Sequence, residues 1–261
     1  MVKPDIFRYN RCFSALINDA SSRLVSEKMY KYTEALTAKL PKVARQDTAH
    51  IAEEGSNSAR RTPLRLDIDQ LFAQAAVLDI YLKRKVYDWG ISSNGFLPVS
   101  DDNGHTVNFQ RCNAFKGENE VISRAKWAKP KTAHRAVEKL HRSYSGDVSR
   151  LLDCCRQSIY FDTLDSLFAC LQVIVQDTCV ELIRVNNRLH LGYPVELSAG
   201  YRDVCLNLRL STIDTRRLLV HTHVCEIQLL LIEFARIKVD LPCALQSESL
   251  CICRYEGKEL Y

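Results

Sequence analysis

Apolar positions follow one period in the first third of this chain and another in its second half. From about Phe7 to Leu40, Phe13, Leu16, Ile17, Leu24 and Met29 recur at loose spacings of three and four with no Gly or Pro among them, which predicts a helix that Pro41 ends. A second helix is expected from about Asp67 to Trp89. Between them, Glu53 to Pro63 holds Gly55, small polar residues and the Arg60-Arg61 pair, the composition of an exposed linker. Residues 90 to 120 gather Gly90, Asn94-Gly95, Pro98, Asp101 through Gly104, and Gly117. Turn formers at that density predict an irregular or hairpin-containing connection and set the preferred domain boundary.

After Pro130 the period changes. A helix from Thr132 to about Ser143 leads into short alternating runs at about 156–162, 180–188, 201–210 and 217–230, with a helix from Leu164 to Gln176 between the first two and another beginning near Leu230. The expected fold is α+β, a mixed, mostly antiparallel sheet flanked by helices and preceded by a helical N-terminal region. Its divisions are 1–90 (helical), 91–120 (connection), 121–240 (sheet domain) and 241–261 (a divergent tail).

Successive side chains of a strand point to opposite faces, so each run divides in two. In 201–210, Arg202, Val204, Leu206, Leu208 and Leu210 make a largely apolar face, while Tyr201, Asp203, Cys205, Asn207 and Arg209 make the other. Arg184, Asn186 and Arg188 share a polar face, as do Glu226 and Gln228. One polar face is ordinary for a half-exposed antiparallel sheet. These residue types also suit a nucleotide: cations for phosphates, carboxylates for Mg²⁺, an aromatic ring for the base.

Composition narrows the classes. At 261 residues, 46% hydrophobic and 26% charged, the chain has the make-up of a globular protein with a real core. No run approaches about eighteen apolar residues and the first residues lack an apolar leader, so an intracellular, cytoplasmic protein without a membrane span is expected. Eleven cysteines, none spaced Cys-x-x-Cys, are read as reduced and mostly buried. The net charge of +5 is uneven: from Arg124 to Arg156 nine Lys/Arg stand against three acids, locally +6, which suits a polyphosphate ligand or a solvated helix face.

Four motifs in order carry a resemblance. Lys131-x3-Arg135-x3-Lys139, then Leu152-Asp153 leading into Ser158-Ile159-Tyr160-Phe161, then Gly200-Tyr201-Arg202-Asp203-Val204, then His223-Val224-Cys225-Glu226-Ile227-Gln228 together resemble the RelA/SpoT alarmone synthetases over about residues 130–238. The resemblance implies a nucleotidyltransferase-like fold and pyrophosphoryl transfer from ATP to the 3′-hydroxyl of GDP or GTP, with Mg²⁺ as cofactor. It implies that Asp153 and Glu226 hold the metal, a hard cation that prefers carboxylate oxygens. Glu226 is the favoured proton acceptor and Asp203 the second, although Asp203 could equally pair with Arg209. Lys131, Arg135, Lys139 and Arg156 would bind the ATP phosphates; Tyr201, Arg184, Asp203 and Gln228 would bind the acceptor, Tyr201 by stacking on its base.

This chain departs from the family pattern at Ser158, Asn186 and Cys205, where Arg, Lys and His are expected. A second reading therefore stands beside the first: a catalytically degenerate nucleotide- or RNA-binding module with the same fold. Nucleic acid is permitted by the mild basic bias and not favoured, homo-oligomerisation is left open, and no hydrolase activity is expected. His221, His223 and Cys225 alternate on one face, but opposite Glu226, where packing against helices is expected rather than zinc.

Overall fold

The computed structural model describes residues 3–46, 67–100, 107–129 and 132–239. The N-terminal helical region forms α1 (Lys3–Asn18), α2 (Ala20–Thr37) and α3 (Ile68–Ser92). The single helix expected to Leu40 is thus two, because Asp19 turns extended (φ −72°, ψ 124°) and its carboxylate accepts from Ser22 N at 2.7 Å, capping α2. Asp67 caps α3 in the same way through Gln70 N at 2.8 Å. Leu71, Ala75, Leu78, Leu82, Val86 and Trp89, spaced at three and four, form the buried stripe of α3.

The connection at 91–120 contains a hairpin of β1 (Phe96–Ser100) and β2 (Val107–Arg111), followed by α4 (Glu118–Arg124). Its Asp101–Gly104 turn lies outside the described residues, as do the 53–63 linker and the 241–261 tail. The remaining elements are α5 (Ala133–Ser143), β3 (Arg156–Phe161), α6 (Leu164–Gln176), β4 (Val180–Asn187), β5 (Val204–Leu210), α7 (Ile213–Arg217), β6 (Cys225–Leu231) and α8 (Ile232–Val239).

The strands form one sheet in the order β2-β1-β3-β6-β5-β4. β3 and β6 pair in parallel; the other pairs are antiparallel. The fold is therefore α+β with a mixed, mostly antiparallel sheet. α3 and α6 pack on β3, and α2 lies against α6 and β4. Ser26 Oγ donates to Leu189 O at 2.8 Å and Asn187 Nδ2 to Thr33 Oγ1 at 3.3 Å, fixing α2 to the end of β4. α1 rests on α2 and α8. One apolar cluster runs from Tyr9 to Ile237, so the helical region and the sheet share a core across the 91–120 connection.

Two differences from the expected strands have local causes. The run expected at 217–230 yields a strand only from Cys225, because Thr212 and Thr215 form a reciprocal capping box that starts α7 instead. Leu218 and Leu219, which read as strand, are exposed, and Leu219 is left-handed at φ 56°. In β4 the register slips between Leu182 and Arg184, a bulge that keeps Glu181 and Arg184 on one face despite their odd separation. Among the described residues no helix is long and apolar enough to cross a membrane.

Candidate functional site

The sheet register assembles one polar face. Arg156 pairs with Glu226, Glu226 with Asn207, and Asn207 with Arg184, so β3, β6, β5 and β4 each contribute to one charged row. One pleat further along, Ser158, Gln228, Cys205 and Asn186 form a second row without formal charge. The three departures from the family pattern all fall in this second row. Unlike a half-exposed sheet, the face is mostly buried at its centre: Asn207 is 1% exposed, Glu226 and Gln228 7% each.

The head of the parallel pair brings the basic helix to the carboxylates. Lys139, on the inner side of α5, donates from Nζ to Asp153 Oδ2 at 3.0 Å, both side chains being largely buried. Burial pulls the Lys139 ammonium down, but the fields of Asp153, Tyr144 and Glu226 more than offset it, leaving its pKa raised. Tyr144 backs this cation with its ring centroid 5.3 Å from Lys139 Nζ and carries the Arg150 guanidinium at 4.8 Å. Glu226 Oε1 accepts from Gln228 Nε2 at 3.0 Å, which fixes one of its oxygens. Arg135 lies one turn before Lys139 and is exposed; Lys131 is outside the described residues.

Gln46, which no sequence motif marks, holds these two carboxylates in place. Its Nε2 donates to Leu151 O and Val224 O at 3.0 Å each, and its Oε1 accepts from Val224 N at 2.7 Å. Residues 151 and 224 each lie two positions before a carboxylate, so one buried amide staples the approach to Asp153 to the approach to Glu226. Asn207 is the other site residue that the motifs pass over; its Oδ1 accepts from Arg184 Nε at 3.0 Å.

Of the predicted acceptor residues, Tyr201 lies under α1, while Arg184 and Gln228 stand on the rows described above. Tyr201 is 7% exposed, with its ring edge against Tyr9 (centroids 6.0 Å, 84°), and Tyr9 stacks in turn on Phe234 of α8. Burial, then the Asp203 carboxylate, pushes the Tyr201 phenol well above its ordinary range. A base stacking on Tyr201 requires α1 to withdraw. Asp203 does not pair with Arg209: it holds Arg188 in a fully buried ion pair, while Arg209 reaches Glu181 at 3.1 Å and Thr222 O. The motif arginine is also a packing residue. Arg202 donates to Arg188 O and His190 O, and its guanidinium lies 3.6 Å from the Phe13 ring centroid, where burial lowers it to about 10. Gly200 has φ +83°, and a Cβ there would meet Ile6 Cα at 3.1 Å. The Gly-Tyr-Arg motif is thus the seat of α1.

On the opposite face His223 is buried against Gln74 of α3, Nδ1 to Oε1 at 3.3 Å, and burial lowers its pKa to about 4. No group of three or more His, Cys, Asp or Glu gathers as a metal cage among the described residues.

No protein-family model matches the chain, and no curated protein matches it in sequence. Solved structures resemble it only loosely. The type VI effector Tas1, in a complex with its immunity protein, overlaps 70% of this chain and 74% of its own at 14% identity and a TM-score of 0.39. The small alarmone synthetase 2 of Bacillus subtilis overlaps 70% and 88% at 17% identity and a TM-score of 0.40. The small alarmone synthetase 1 of the same organism, bound to its product pppGpp, overlaps 48% and 70% at 14% identity and a TM-score of 0.32. Overlaps this loose assign no residue of this chain a role.

Proposed function

We propose that this chain transfers the β,γ-pyrophosphoryl group of ATP to the 3′-hydroxyl of GDP or GTP, as the motif resemblance to the RelA/SpoT family implies. The observation that carries this reading is the convergence of Lys139, Asp153 and Glu226 at the head of two parallel strands. Ordinary surface ion pairs join one cation to one anion; here an ammonium bonded to one largely buried carboxylate also lies in the field of a second. That donor set fits Mg²⁺, which takes one or two carboxylates and completes its shell with water and substrate phosphate. Asp153 and Glu226 would hold the ion, which when bound neutralises charge on the transferred phosphates.

The rest of the chemistry belongs to the side chains. Lys139 exchanges its bond to Asp153 for a phosphate oxygen, and Arg135, Lys131 and Arg156 extend the cationic track along the triphosphate. Glu226, anchored by Gln228, accepts the proton of the 3′-hydroxyl as that oxygen bonds the β-phosphorus. The bond from the β-phosphorus to the oxygen bridging it to the α-phosphorus breaks, and AMP leaves. Arg184 faces the acceptor from β4. Tyr201 and Asp203 join the site only on withdrawal of α1.

The test is incubation of the purified chain with labelled ATP, Mg²⁺ and each of GMP, GDP and GTP, with products resolved by chromatography. A pyrophosphorylated guanosine nucleotide is expected, falling by about 10²–10⁴-fold in Glu226→Gln. Absence of product with retained nucleotide binding would favour the degenerate binding module, a reading supported by the uncharged row at Ser158, Cys205 and Asn186.

A further inference from the structure

Asn207 is a buried residue of the polar face whose hydrogen bonding is half complete. It lies on central strand β5, 1% exposed, directly across from Glu226 on one side and Arg184 on the other. Its Oδ1 accepts from Arg184 Nε, and its Nδ2 has no hydrogen-bond partner among the described residues. The orientation of the amide follows from this contact. A guanidinium only donates, so the oxygen must face Arg184 and the NH₂ is left as an unused donor. A buried donor left unpaired costs stability, and such a group in the middle of a strand marks a place where a ligand atom completes the bond.

We propose that Asn207 binds the 2′-hydroxyl of the acceptor ribose. The inference rests on the reading in which Glu226 takes the proton from the 3′-hydroxyl. With the 3′-oxygen at Glu226, the neighbouring hydroxyl of the same sugar falls towards a flanking strand, and of the two residues there, Arg156 and Asn207, it is Asn207 that holds the unused buried donor. Charge selects a hydroxyl over a phosphate oxygen here. A phosphate at this position would face the Glu226 carboxylate, whereas a neutral hydroxyl accepts from the amide without repulsion. The next row along the face, Ser158, Gln228, Cys205 and Asn186, is likewise uncharged and compatible with a sugar. A site that satisfies a buried amide with a substrate hydroxyl rejects the analogue lacking it, because that analogue leaves the amide unpaired.

The experiment compares GDP with 2′-deoxy-GDP, by calorimetric affinity and by turnover with ATP and Mg²⁺, on the full chain and on Asn207→Ala and Asn207→Asp. Asn207→Asp keeps an oxygen for Arg184 and replaces the donor with an acceptor, so it tests the amide without emptying the position. The unaltered chain is expected to prefer GDP by roughly 10- to 100-fold, and both variants to bind the two nucleotides within about threefold of each other. Equal affinity in the unaltered chain, or weakening in the variants that leaves the ribose preference intact, would overturn the assignment. Preference lost in the variants without product from any acceptor keeps Asn207 as a ribose reader and sinks the synthetase reading. Product formed equally well from both acceptors does the reverse. No binding of either nucleotide overturns both.

Discussion

Lys139 with Asp153 and Arg188 with Asp203 are both buried ion pairs on or beside the same sheet face, each joining a basic and an acidic residue near the end of a strand. They differ in their surroundings. The first pair has a second carboxylate within its field, lies at the end of a helix side that continues outward through exposed Arg135, and is stapled from behind by Gln46. The second is buried, with Arg202, Tyr201 and α1 packed around it. Residue type alone does not separate a site from a strut; the sign and number of neighbouring charges do. An ammonium bonded to one carboxylate and felt by a second is poised to trade partners, whereas a guanidinium buried against its carboxylate holds two chain segments together.

The strongest test of that contrast is at the sealed end. Asp203→Ala leaves the Arg188 guanidinium buried without its carboxylate, and a loss of about 3–5 kcal/mol in unfolding free energy is expected from denaturant titration. Glu226→Gln, which keeps a hydrogen-bonding side chain in place, should change that same quantity by less than about 1 kcal/mol while removing turnover. Similar losses of stability in both variants would erase the distinction between the two ends.

Behind the charged end, His223 reports on whether the opposite face is dry. Its folded value of about 4 lies below the ordinary 6.5, so the folded chain holds it neutral while the unfolded chain takes up a proton. Its contribution to stability is complete above about pH 6.5 and is lost as pH falls towards 4, by about 3 kcal/mol, an effect that His223→Gln should flatten in unfolding measured across that range. A smaller change is expected at the seat of α1. Gly200→Ala forces an L side chain into φ +83° against the Ile6 backbone, costing about 1–3 kcal/mol, with faster amide hydrogen exchange in Lys3–Asn18 than elsewhere.

Much of this architecture is visible in the sequence where one element decides it. The buried stripe of α6 and the alternation of β5 follow directly from spacing, and that alternation puts Cys205, Asn207 and Arg209 on one face. What spacing lacks is knowledge of partners. Tyr201 reads as an exposed ring until Tyr9, nearly two hundred residues earlier, comes to rest against it. Asp203 offers Arg209 to a reader of one strand, but Arg188, brought beside it at the end of β4 by the chain reversal into β5, takes it instead. Leu218 and Leu219 have strand-like apolarity, but the Thr212 and Thr215 hydroxyls fix a helical turn just upstream. Gln46 carries no signal at all, because its importance lies in the two backbones it happens to bridge.

The parallel pairing of β3 with β6 has a consequence for how the protein is made. Asp153 and Glu226 become neighbours only through contacts between segments about seventy residues apart in sequence. Closing so long a loop is entropically slow, and no hairpin or helix formed earlier can substitute for it. During synthesis the basic helix α5 and strand β3 emerge first and wait for β6, so a chain arrested anywhere before Cys225 carries a cationic surface without the carboxylate that completes it. Assembly of this charged cluster therefore waits for β6 and comes late in folding.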